Sequence, residues 1–134
     1  MTYTESEVLI NDLPPKLLEV LPIFGLPPTD LASATITVSG TSASIKFNAI
    51  DTVIDTQKLC TVAGVMLRRA KGRTPQTILD GDLVKIFRGP ELETYKTTAY
   101  VDSGLLSGTY YYRFFPYSTY GVYNFHGTIV SVVV

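Results

Sequence analysis

The chain has 134 residues, of which 46% are apolar and 17% charged, with a formal net charge of −1. That is a globular composition, long enough for one domain plus an extension, and it excludes a disordered chain. The near-zero balance leaves no basic excess to neutralise phosphates, so no nucleic-acid partner is expected.

Residues 1–31 read as a proline-rich arm, punctuated by Pro14, Pro15, Pro22, Pro27 and Pro28. Within it, residues 16–21 can form a short helical turn, with Pro14 or Pro15 at its first position and Pro22 as its stop. Leu13, Leu17, Leu18 and Leu21 share one stripe at helical spacing, and Ile23 and Phe24 follow in a stiff, extended connector. These six residues are the candidate anchor. Prolines every few residues deny the arm a core of its own, and two readings stay open: it packs on its own domain, or it docks on a neighbouring subunit or another protein. The first seven residues lack a cationic segment followed by an apolar run, so no secretion signal is expected. No apolar stretch approaches the ~20 residues of a membrane-spanning helix, and no membrane contact is expected.

From Ser33 the period changes to two. Thr35–Val38 alternates, Gly40-Thr41 turns the chain, and Ser42–Asn48 alternates again with Ala43, Ile45 and Phe47 on one side. This predicts a hairpin. Residues 50–61 read as a loop. A strand is expected over Val62–Arg69, a polar loop over Ala70–Asp82 and a strand over Leu83–Arg88 closed by Gly89-Pro90. A short strand follows at Thr98–Val101, and a long final one at Val122–Val134 is broken or bulged near Gly127. With the aromatic strand after Gly108, that gives about seven short strands and little helix, the pattern of an all-β antiparallel sandwich over residues 32–134.

The residues of catalysis are sparse. His126 is the sole histidine and reads as a strand residue with a satisfied ring nitrogen; Cys60 is the sole cysteine, so no intrachain disulfide forms. No nucleophile elbow, nucleotide-binding glycine pattern, zinc set or EF-hand spacing is present. Asp51, Asp55, Asp80 and Asp82 read as solvated loop carboxylates. Arg68, Arg69, Lys71 and Arg73 mark a strand end and its loop, with acidic residues close behind. No enzyme activity, cofactor or metal is expected.

The densest signal is the run Gly104–Ser118. Tyr110, Tyr112 and Phe114 alternate against Tyr111, Arg113, Phe115 and Tyr117. The set without charge is expected inside, and the set with Arg113 outside; a one-residue shift would reverse the two faces, and alternation alone does not decide between them. A solvated face does not call for aromatics in a row. Two readings stay open: an extra layer such as the N-terminal arm covers this face, or it contacts a subunit or ligand. On the second reading Tyr111, Phe115 and Tyr117, with Tyr120 and Tyr123 beyond, are the candidate partner-binding residues, since tyrosine buries area while keeping a hydroxyl for a partner.

Gly104-Leu105 followed by Ser107–Phe114 resembles the corner before the sixth strand of fibronectin type III domains. That resemblance implies a corner tyrosine bonding back to backbone, Tyr110 with Tyr111 as the alternative. The continuation Phe115-Pro116-Tyr117-Ser118-Thr119-Tyr120-Gly121-Val122-Tyr123 is similar to fibronectin type III-like modules of bacteriophage and prophage structural proteins. Residues 64–72, Thr74-Pro75 and Asp80-Gly81 match the same modules, and the likeness covers roughly residues 34–125. The tryptophan common on the family's second strand is missing, and Phe47 stands near its place. The resemblance implies a non-enzymatic virion protein, assembled in the host cytoplasm, whose partners are other virion proteins and copies of itself. An adhesion module binding host-surface glycans through the tyrosine-rich face is the alternative.

Overall fold

Along the second strand Ala43, Ile45 and Phe47 alternate with polar residues, and all three are buried in the core. The computed structural model describes residues 26–49 and 61–134. The candidate anchor residues, the expected helical turn, nearly all of the 50–61 loop and Cys60 lie outside them.

The elements are β1 (Ser33–Ser39), β2 (Ser42–Asn48), β3 (Val62–Lys71), β4 (Asp82–Arg88), α1 (Glu91–Thr97), β5 (Tyr100–Asp102), β6 (Thr109–Ser118) and β7 (Thr128–Val133). They form two antiparallel sheets, β1-β2-β5 and β4-β3-β6-β7. This is the two-sheet sandwich of seven strands that the alternation predicts. Val65 and Leu67 of β3, Phe87 of β4, Tyr110, Tyr112 and Phe114 of β6 and the β2 triplet interdigitate between the sheets. Phe47 touches rings on both sides, 4.8 Å from Phe87 and 5.6 Å from Phe114, centroid to centroid. It fills the central volume without a tryptophan.

Pro116 sits inside β6 because of where β7 stops. The β6–β7 ladder ends at Phe114 and Thr128. The Pro116 carbonyl still accepts from the Asn124 N–H at 2.8 Å, but no strand on that side calls for the N–H that proline lacks.

Two elements depart from expectation. Residues 91–97 form α1, where the sequence reading has only a strand stop followed by a strand over Thr98–Val101. Pro90 caps the helix, Glu91 and Glu93 occupy its first turn and Lys96 its last, in the sense the helix dipole favours. Leu92 and Tyr95, three apart, pack on the core. The final strand begins at Thr128, not Val122. Gly127 has φ 65°, and a Cβ there would overlap the Phe114 carbonyl. The buried Asn124 side chain accepts from the N–H groups of His126 (2.9 Å) and Gly127 (3.0 Å), holding a turn instead of a ladder. His126 lies in that turn, exposed, with Nδ1 3.2 Å from Asp30 Oδ2, and not in a strand.

The segment before β1 is also tied to the sandwich. Pro28 is fully buried and Leu31 joins the core. Asp30 accepts from Asn124 Nδ2 at 2.8 Å, and the Leu31 N–H donates to Thr128 Oγ1 at 3.3 Å.

The corner tyrosine is Tyr110. Its hydroxyl accepts from the Leu106 N–H at 3.0 Å, pinning the turn before β6. Tyr110→Phe is expected to cost about 1 kcal/mol, one net hydrogen bond. Urea unfolding should show a lower midpoint with an unchanged slope.

Candidate functional site

The alternation of β6 divides its aromatics as expected. Tyr110, Tyr112 and Phe114 enter the core, while Tyr111, Arg113, Phe115 and Tyr117 face away from the opposing sheet. The outer face is not uniformly open, however. Phe115 is 0% exposed and cannot meet a partner, which corrects its place among the candidate binding residues. The physical reason is Arg113. Its guanidinium lies 5.2 Å from the Phe115 ring centroid and donates to the carbonyls of Pro75 (2.9 Å) and His126 (2.6 Å). One side chain thereby draws the β3–β4 loop and the turn before β7 together over Phe115.

Beyond that cover an aromatic strip remains open. Tyr117 lies across Gly64 of β3, where any Cβ would overlap its hydroxyl. Its ring is 5.0 Å from Tyr123, to which it is joined by an isolated backbone bridge. Tyr123 is in turn 6.3 Å from Phe125. Tyr117 and Tyr123 are half-buried, Phe125 is 63% exposed, and Tyr120 at the tip of the connecting turn is 54% exposed. Burial raises the Tyr123 hydroxyl above its ordinary range, and the neighbouring Tyr117 raises it further; Arg88 and Arg68 act in the opposite sense. The strip is hydroxyl-bearing and flanked by two arginines.

Two of the five candidate residues thus meet, Tyr117 and Tyr123, while Tyr120 stands exposed on the turn between them. Tyr111 stands apart, half-buried opposite Ala70 and Ser131. Phe125 is the member that sequence reasoning missed. It was absorbed into the expected long strand, although its position two residues after Tyr123 was visible.

Elsewhere, polar groups serve the fold. Arg69 of β3 donates to both Asp102 oxygens, at 2.7 and 2.5 Å, and the Tyr112 hydroxyl donates to the same carboxylate at 2.6 Å. This network ties the four-stranded sheet to β5 of the other. Burial raises the Tyr112 hydroxyl, and its bond to Asp102 raises it further. Burial alone would lower Arg69, but Asp102 outweighs it and the net direction is upward. The Arg73 guanidinium and the Gln76 N–H hold the Asp80 carboxyl down at about 2, closing the β3–β4 loop on itself. Among the described residues no group of three or more His, Cys, Asp or Glu is placed to hold a metal ion. A shallow groove lined by Ser33, Thr35, Lys46, Phe47, Asn48 and Lys96 carries two lysines but no carboxylate or imidazole. No described helix is long and apolar enough to cross a membrane.

No protein-family profile matches the chain, and no curated protein matches it. Solved structures do. One is the solution structure of the sixth fibronectin type III domain of human fibronectin type III domain containing protein 3. It has a TM-score of 0.51 and 16% identity over 81% of this chain and 87% of that one. Another is the crystal structure of the Clostridium perfringens spore cortex lytic enzyme SleM, with a TM-score of 0.50 and 10% identity over 81% of this chain. The chain spans only 28% of SleM. At such identities the likeness speaks to architecture alone. With the strand order and the Tyr110 corner, it establishes a fibronectin type III-like fold.

Proposed function

We propose that this chain is a non-enzymatic structural protein of a bacteriophage virion, a component of capsid decoration, neck, tail or fibre that works through protein–protein contacts. The observation that carries this reading is the open strip of Tyr117, Tyr120, Tyr123 and Phe125. A monomeric sandwich has no internal use for a partly exposed row of aromatics, whereas a contact surface draws its affinity from them. The similarity of residues 115–123, with residues 64–72, to phage fibronectin type III-like modules supplies the setting.

The strip is held from below by rigid elements. Gly64 lets Tyr117 lie flat on β3, and Asn124 fixes the turn that carries Tyr123 and Phe125. Little ordering cost remains to be met on binding. Burying apolar area there gains about 25 cal/mol per Å² before association costs.

Density-gradient fractionation of phage particles tests the proposal. The chain is expected to co-sediment with particles. The triple variant Tyr117→Ala, Tyr123→Ala, Phe125→Ala should stay folded at working temperature, with a lowered melting point for the half-buried rings it loses, but fall at least ~10-fold in the particle fraction, a loss of more than about 1.4 kcal/mol in affinity. A chain absent from particles, or a variant incorporated as well as wild type, would sink the reading. Saturable binding to host-surface glycans that collapses on Tyr117→Ala or Tyr120→Ala would replace it with an adhesion role.

A further inference from the structure

The two edges of the four-stranded sheet are built differently. β4 carries Asp82, Lys85 and Arg88, its Arg88 N–H donates to Glu91 Oε1 at 3.2 Å, and Lys85 pairs with Glu91 of α1 at 2.9 Å. That edge is charged and capped. β7 has the sequence Thr-Ile-Val-Ser-Val-Val, without charge, proline or bulge, and β1 on the same side of the sandwich is equally uncharged. Uncovered edges normally carry such protection against pairing with another chain.

The hydrogen-bond phase of β7 can be read from its end. Gly108 and Val134 exchange two backbone bonds, of 3.0 and 2.8 Å. Alternation along an antiparallel ladder then assigns Val132, Val130 and Thr128 to bonding with β6. Ile129, Ser131 and Val133 direct their N–H and C=O groups the other way, where no described strand pairs with them. The same three residues carry their side chains on the outer face, since Val130 and Val132 pack inward. Ile129 is 47% exposed and Val133 72%.

From this we infer that β7 is a dimerisation edge: two copies join their four-stranded sheets by antiparallel β7–β7 pairing about a two-fold axis at Ser131. The occupant is a second copy because the edge is complementary to itself. In an antiparallel self-pair, the register that uses all three outward-bonding residues sets Ser131 opposite the mate's Ser131 and Ile129 opposite its Val133. That register places the exposed apolar side chains of the strand against one another on the outer face, twice, around a small residue on the axis. No charge on β7 or β1 opposes the approach. The pairing rests on the backbone of β7 and is independent of the aromatic strip and of a virion role.

Sedimentation velocity on the full chain between about 1 and 100 μM tests it, a range spanning dissociation constants typical of modest dimers. Wild type is expected to dimerise as concentration rises. Ser131→Pro removes an N–H that points away from β6, so the ladder to β6 survives, and the variant should be monomeric with an unchanged melting temperature. Should proline disturb the fold, Ile129→Lys with Val133→Lys decides, since both positions are exposed. That pair should weaken the dimer at least ~10-fold. Tyr117→Ala should leave the dimer intact. A wild-type monomer throughout this range, a dimer that survives the two lysines, or a dimer lost with Tyr117→Ala would overturn the inference.

Discussion

Phe47→Ala is expected to destabilise the domain by about 4 kcal/mol, the upper part of the range for deleting a buried ring. Phe47 is nearly inaccessible and lies between Phe87 and Phe114, which belong to the opposite sheet. Removing its ring takes away the contacts through which β2 grips β3–β6, and the rings on the far side cannot collapse into the space without moving β4 or β6. Against a typical total of about 5–15 kcal/mol, the loss should leave a visible unfolded fraction near 37 °C. Chemical denaturation with fluorescence and circular dichroism read together checks it. Phe47→Leu should recover roughly half of the deficit, because it restores volume without the ring contacts.

The second large effect is expected at Asp102. Its carboxylate accepts from Arg69 and from the Tyr112 hydroxyl in a site that is mostly withdrawn from water. Asp102→Ala would leave the Tyr112 phenol without its acceptor and the Arg69 guanidinium with only the longer, exposed contact to Asp82 at 3.4 Å. The expected cost is about 3 kcal/mol, from the stranded charge more than from the lost attraction. Asp102→Asn keeps an acceptor for Tyr112 and should cost less. Removing both partners together, as Asp102→Ala with Arg69→Met, should recover part of the loss, since the stranded charge is then gone. A double-mutant cycle in urea measures the coupling.

How much of this was legible in the sequence depends on how far apart the interacting residues lie. Alternation divides β6 into two sets and places the one with Arg113 outside, but a one-residue shift would reverse the faces; the pairing of β6 with β3 and β7 fixes the register. The corner tyrosine is implied by the resemblance to fibronectin type III domains, with Tyr110 and Tyr111 both open, and the bond to Leu106 four residues away selects Tyr110. Phe115 was misread because its cover depends on Arg113 reaching the carbonyl of Pro75, 38 positions distant. Asp30 meeting Asn124, 94 positions apart, and Arg69 meeting Asp102, 33 apart, are likewise products of the closed sandwich and not of any local pattern. α1 was a local miss. Pro90, the acidic first turn and the Leu92–Tyr95 spacing all stand in the sequence, but Gly89-Pro90 reads equally as a strand stop.

The claim on which the functional reading turns is that the strip is where this protein meets another. A photo-crosslinking side chain at Phe125, the most exposed ring of the strip, tests this in assembled particles. Thr35, exposed on the other sheet, is the control position. The expected result is a covalent adduct to another virion protein from position 125 and none from position 35. No adduct from position 125 in particles that contain the protein, or equal adducts from both positions, would contradict it.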